Sequence, residues 1–176
     1  MGLTDRSRER VADELDRLDA EFDAVPVVDK QWVWSREDYA FIVDRFERGT
    51  VGGAGIWPVA PDGTVLLVRK DGEAGWAEPS GKQEPGESLE ATARRETCEE
   101  TGVDASITGV ALAQRVAIRA EDEPPVHRLI VVFEGRAERV DPEPEPDEIA
   151  DARWWDRHPE PLLYDDLADL SIPAAD

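Results

Sequence analysis

The chain has 176 residues, 40% of them hydrophobic, which suits one core with an extension. It carries 41 acidic against 20 basic residues, a formal charge of -21, and lysine occurs only as Lys30, Lys70 and Lys82. A surface of that sign has no basic stripe to displace counterions, and no apolar run is long enough for a membrane span, so neither a nucleic acid nor a membrane is the expected partner. Excess carboxylate with arginine in place of lysine looks like the proteins of salt-loving organisms, in which concentrated salt screens self-repulsion. The N-terminus lacks an apolar leader, so a soluble, cytoplasmic protein is expected. The single Cys98 excludes an intramolecular disulfide and reads as a small packing residue.

Residues 5–24 alternate charges with Val11, Leu15, Leu18 and Phe22, the spacing of an amphipathic helix that packs on the domain or on a second subunit. Residues 31–35, QWVWS, read as a short strand, and residues 36–49 as a second helix stopped at Gly49. Residues 1–50 are therefore taken as an N-terminal helical extension, a possible homodimer surface, ahead of a domain over 51–176. From Val51 the pattern turns to strands: VGGAGIWPVA and TVLLVRK flank the turn Pro61-Asp62-Gly63 and predict a hairpin. Two stretches rich in β-branched residues, 107–119 and 127–138, follow later, then the acidic Pro-rich loop 140–151. The strand-like ARWWD and a helix around PLLYDDLADL end the chain. Strands on both sides of one long helix argue for α/β layers around a mixed sheet.

That helix begins at the N-cap residue Ser88 and is free of Gly and Pro until Gly102. Within it Glu96, Glu99 and Glu100 stand at i, i+3 and i+4 and share one face, with Leu89, Ala93 and Thr97 as the apolar stripe. Carboxylates packed this way repel and weaken an isolated helix, so their clustering calls for a cation. A hard divalent ion such as Mg2+ takes oxygen ligands and shares them with substrate phosphates. An acidic chain matches acidic patterns by luck more often than most, and a solvated acidic face is the bland alternative. Four glutamates, two glycines and one arginine at fixed offsets over Gly81 to Val103 weigh against it.

At Gly81, Glu87, Arg95, Glu96, Glu99, Glu100, Gly102 and Val103 the chain resembles the Nudix hydrolase family, whose signature is G-x5-E-x7-R-E-U-x-E-E-x-G-U. Thr97 departs from it at the first apolar position, and Glu78 and Ser80 replace a common Leu and Gly in the preceding loop. The resemblance implies an α/β/α sandwich over 51 to about 170. It also implies Mg2+ or Mn2+ held by Glu96, Glu99, Glu100 and the Ser80 carbonyl, with Arg95 orienting the carboxylates and Glu87 supporting them. Glu148, six residues before Trp154, fits the place of a further acid, and the general base stays open between it and Glu96. The implied chemistry is water attack on phosphorus in a nucleoside diphosphate derivative, a nucleoside triphosphate or nucleotide sugar among them. The alternative is a non-catalytic nucleotide-binding module.

Among the remaining residues, Trp57, Trp76 and Trp155 read as core, while Trp32, Trp34 and Trp154 are candidates for a nucleobase pocket. His127 and His158 lack partners at zinc-ligand spacing. Arg115, Arg119 and Arg128 could clamp phosphate but are expected to pair with the surplus acids.

Overall fold

The computed structural model describes residues 1–176. Its helices are α1 (Leu3–Phe22), α2 (Arg36–Glu47) and α3 (Leu89–Thr101). The strands are β1 (Val27–Val33), β2 (Gly52–Val59), β3 (Val65–Lys70), β4 (Ser80–Lys82), β5 (Ala105–Arg119), β6 (Val126–Ala137) and β7 (Ile149–Trp155). They form one seven-stranded sheet in the order β1-β5-β6-β2-β3-β7, with β4 also paired to β2. The sheet is mixed: β1 runs parallel to β5 and β2 to β6, and the other pairs are antiparallel. This is the α/β architecture that the strand and helix pattern predicts.

Local chemistry explains the element ends. Ser35 and Ser88 each accept a hydrogen bond from the backbone three residues on, Asp38 N at 3.0 Å and Ala91 N at 3.1 Å, so both serve as helix N-caps. Gly102 ends α3 in the left-handed conformation at φ 69°, which glycine adopts without strain.

The apolar stripes decide the layers. On one face α1 supplies Val11 and Leu18, α3 supplies Leu89 and Ala93, and the sheet supplies Ala54, Ile56, Leu129, Val131 and Phe133 to one cluster. A side chain fully buried there, such as Leu18, contributes about 1.5–3 kcal/mol. The N-terminal extension thus shares the core of the segment it precedes. Polar ties add direction: Arg17 of α1 donates to both carboxylate oxygens of Glu90 at 2.9 Å, and His127 N donates to Ser7 Oγ at 2.9 Å. Arg10 donates to Phe46 O at 2.6 Å with its guanidinium 3.9 Å from the Phe46 ring, which fixes α2 against α1.

The opposite face holds Trp57, Leu67, Trp76, Leu112 and Val132, covered by Leu167 and Ile172 of the C-terminal segment. That segment is not the predicted α-helix. It forms short 3-10 turns at Asp165–Asp169 and Pro173–Ala175. Trp76 N donates to Pro161 O at 3.0 Å and Leu163 N to Trp76 O at 2.8 Å, so residues 161–163, the first part of the predicted helix, are tied to Trp76 instead.

Cys98 lies on the exposed side of α3 rather than in the packing. Trp32 and Trp34 stack on each other with centroids 5.6 Å apart and pack with α2, while Trp154 donates its indole proton to Val140 O at 2.8 Å. These three indoles are thereby engaged in structure. No helix is long and apolar enough to cross a membrane.

Candidate active site

Two glycine-bearing strands bring the box loop against the sheet. In register, β4 sets Lys82 opposite Gly53 and Ser80 opposite Gly55. A Cβ on Gly53 would stand 2.7 Å from Gly81 O, and one on Gly55 would stand 2.4 Å from Pro79 O, so only glycine admits so close a crossing. Gln83 pins the loop from within, accepting from Val51 N at 2.7 Å and donating to Glu87 O at 2.7 Å.

Gly81 has a second role. A Cβ there would lie 2.2 Å from Glu96 Oε1, so the missing side chain leaves the space into which the Glu96 carboxylate packs. Arg95 stands at the centre of the acids. It donates to Glu87 at 2.7 and 3.0 Å, to Glu96 at 2.8 Å, to Glu99 at 3.2 Å and to Lys82 O at 3.1 Å. The Arg95 hydrogen bonds hold the Glu87 carboxyl down at about 2. Burial pushes Glu96 up against the opposing pull of Arg95.

Glu100 is fully buried, and burial raises it to about 7 despite the nearby Lys70 ammonium. Its Oε2 accepts from Ser80 N at 3.1 Å. Its Oε1 lies 3.1 Å from Lys70 Nζ as an ion pair but receives no directed hydrogen bond. The same ammonium donates to Ser80 O at 2.9 Å. Lys70 therefore bridges two of the four groups that the family resemblance implies as metal ligands. No three Asp, Glu, His or Cys side chains converge on one point, and Arg95 and Lys70 stand among the carboxylates. The donor set nonetheless fits a hard cation: all oxygen, one carbonyl with carboxylates, and a buried acceptor without a hydrogen bond at its centre.

Glu148 is exposed on the loop before β7, and its carbonyl accepts from Asp71 N at 2.8 Å. The same loop is tied to the end of α3 by Glu143 N to Thr101 O at 2.8 Å and Glu145 N to Glu100 O at 3.2 Å. The hydrogen bond with Glu148 raises the Glu145 carboxyl, with further contributions from burial and from the negative charge of Glu148, Glu99 and Glu96. Neither Lys70 nor Glu145 was singled out by motif; the only signal was that Lys70 is one of the few lysines. Glu78 is a further acid at this end, 4% exposed, with an unpartnered Oε2 and a carboxyl raised to about 7 by burial.

Fold and box together define the class, a Nudix-type α/β domain. The chain belongs to the Nudix family: the family model described as the NUDIX domain matches residues 49–169. A search of the curated proteins found no match. Among solved structures, the chain is similar to a Nudix hydrolase from Nitrosomonas europaea, at 21% identity and TM-score 0.48, over 60% of this chain and 57% of that one. It is similar to a UDP-X diphosphatase at 23% identity and TM-score 0.48, over 68% and 58%. It is also similar to a MutT Nudix hydrolase from Burkholderia pseudomallei at 27% identity and TM-score 0.48, over 64% and 88%. The match thus spans less than two thirds of the length of the first two structures.

Proposed function

We propose that the chain is a divalent-metal-dependent hydrolase that cleaves a diphosphate linkage in a nucleoside diphosphate derivative by water attack on phosphorus. The observation that carries this reading is the joint presentation of Ser80 O and the Glu96, Glu99 and Glu100 carboxylates at one end of α3, with Glu100 Oε1 buried and without a hydrogen bond. These four groups would hold Mg2+ or Mn2+. Such an ion, when bound, polarises a diphosphate oxygen and makes water a better nucleophile.

The protein supplies the rest. Arg95 fixes the Glu87, Glu96 and Glu99 carboxylates in place, so that little reorganisation is needed when charge develops on the phosphoryl oxygens. Glu148 is our choice of general base, since Glu96 is already engaged by Arg95 at 2.8 Å. The bond from water oxygen to phosphorus forms, the anhydride phosphorus–oxygen bond breaks, and a nucleoside or sugar phosphate leaves with its own bridging oxygen. The water proton passes to Glu148.

The test is a panel of nucleoside triphosphates, nucleotide sugars and dinucleoside polyphosphates with Mg2+ or Mn2+ in 18O-labelled water. Release of two phosphorylated products, one carrying the label on phosphate, is the expected result. If no member of the panel is cleaved with either metal, the hydrolase reading falls and the binding-module reading replaces it.

A further inference from the structure

A chain with a charge of -21 has an abundance of carboxylates for its cations, and most of its arginines find one. Arg115 behaves as expected, pairing with Asp29 at 2.6 Å. Arg128 does not. Its residue is 9% exposed, yet its guanidinium makes no ion pair and donates no hydrogen bond within the chain, and burial lowers it to about 10. A buried cation with no acceptor is costly, so a stable fold that keeps one leaves a place for a ligand oxygen.

Two more cations stand beside it without an ion pair. Lys82 makes no ion pair and pairs in register with Gly53, the same glycine that borders the Arg128 guanidinium. Arg45 of α2 donates to Gln83 O and makes no ion pair. Its Cζ is 5.6 Å, and Lys82 Nζ 5.9 Å, from the centroid of the half-exposed Phe41 ring, so both cations approach one aromatic ring.

The cluster adjoins the box through one residue. The point where a Gly53 Cβ would stand is 3.6 Å from Arg128 Nη2 and 2.7 Å from Gly81 O. On Gly81 itself, the Cβ point lies 2.2 Å from Glu96 Oε1. A diphosphate engaged at the carboxylates therefore has its next substituent within reach of three positive side chains.

We propose that Arg45, Lys82 and Arg128 form an anion subsite for a phosphate group of the substrate beyond the scissile linkage, with α2 of the N-terminal extension contributing one of its walls. The assignment rests on the hydrolase reading for the identity of that phosphate, and it selects substrates of the nucleoside triphosphate class over nucleotide sugars, whose far end is uncharged. Arginine suits the role because its planar fork matches phosphate oxygens.

Inorganic pyrophosphate, titrated calorimetrically into the full-length protein in EDTA at fixed ionic strength, tests the subsite apart from metal and turnover. The wild type should bind it. Arg128→Met and Arg45→Met should each weaken binding about tenfold or more, equivalent to about 1.4 kcal/mol. Arg128→Met should also melt no lower than wild type, since it replaces an unpartnered buried charge by an apolar chain of similar length. Glu99→Gln should bind at least as well as wild type. No binding by the wild type, equal binding by both arginine variants, or a tenfold loss in Glu99→Gln would overturn the assignment. With metal present, the ratio of kcat/KM for a nucleoside triphosphate to that for a nucleotide sugar should fall at least tenfold in Arg45→Met, and an unchanged ratio would count equally against it. Absence of all turnover would sink the hydrolase reading while leaving the metal-free titration to decide the subsite.

Discussion

Two charged regions meet at Gly81 and are built in opposite ways. On the α3 side the carboxylates come with protein cations already in place: Arg95 for Glu87, Glu96 and Glu99, and Lys70 for Glu100. On the β6 side Arg45, Lys82 and Arg128 make no ion pair. In an acidic protein the second arrangement is the more informative, because acids without cations are expected from composition whereas cations without acids are not. The first region holds charge ready to be displaced, and the second holds charge waiting for a partner.

The largest expected effect separates the two sides by kinetics. Glu100→Gln keeps the shape of the buried carboxyl but removes its charge, so kcat on the best substrate should fall roughly 10^2-fold or more, the scale for loss of a major electrostatic contact. Circular dichroism should show the variant folded, and its melting temperature should no longer rise with Mn2+. Near-native turnover in a folded Glu100→Gln would dissolve the distinction between the regions.

Next comes the built-in cation. Lys70→Met removes the ammonium that faces Glu100 Oε1 at 3.1 Å and Ser80 O at 2.9 Å. A buried acceptor left without a partner costs about 1–3 kcal/mol. The metal-free variant should melt lower by about 2–4 °C for each kcal/mol, and Mn2+ should restore more stability to it than to the wild type. An unchanged melting temperature in EDTA would show that Lys70 is not the counter-ion of the metal-free site.

A smaller effect is set by protons. Glu100 and Glu78 are raised by burial to about 7, above the ordinary range near 4.3. The folded state then binds protons more tightly than the unfolded chain, so these two groups make the metal-free protein less stable as pH rises from about 4.5 to 7. Glu87 acts in the other direction: held at about 2 by Arg95, it contributes stability above its unfolded value that is lost as pH falls from about 4.5 towards 2. Urea melts at several pH values should show Glu100→Gln flattening the first slope and Glu87→Gln the second.

The smallest contrast is salt. Going from about 50 mM to molar monovalent salt shortens the screening length from more than 10 Å to about 3 Å. Self-repulsion among the surplus acids then weakens and the melting temperature should rise, while pyrophosphate affinity at the cation cluster should fall. Parallel movement of both quantities would contradict the opposed signs of the two regions.

Much of this protein could be read before folding. Helices α1, α2 and α3 follow from apolar spacing, serine caps and glycine stops, and β2, β3, β5 and β6 from β-branched runs and the Pro61-Asp62-Gly63 turn, because those signals act over a few residues. The acids of the box were legible for the same reason, since helical spacing alone puts Glu96, Glu99 and Glu100 on one face. Tertiary structure decided the rest. It turned the C-terminal segment into 3-10 turns by tying Pro161 and Leu163 to Trp76. It set Lys70 of β3 between Ser80 and Glu100, and left Arg128 beside Gly53 rather than beside an acid. It carried Arg45 from the extension to Gln83, 38 residues along the chain. Such partners are chosen by strand register and by the layering of α1 and α2 on the sheet, which no local pattern of residues encodes.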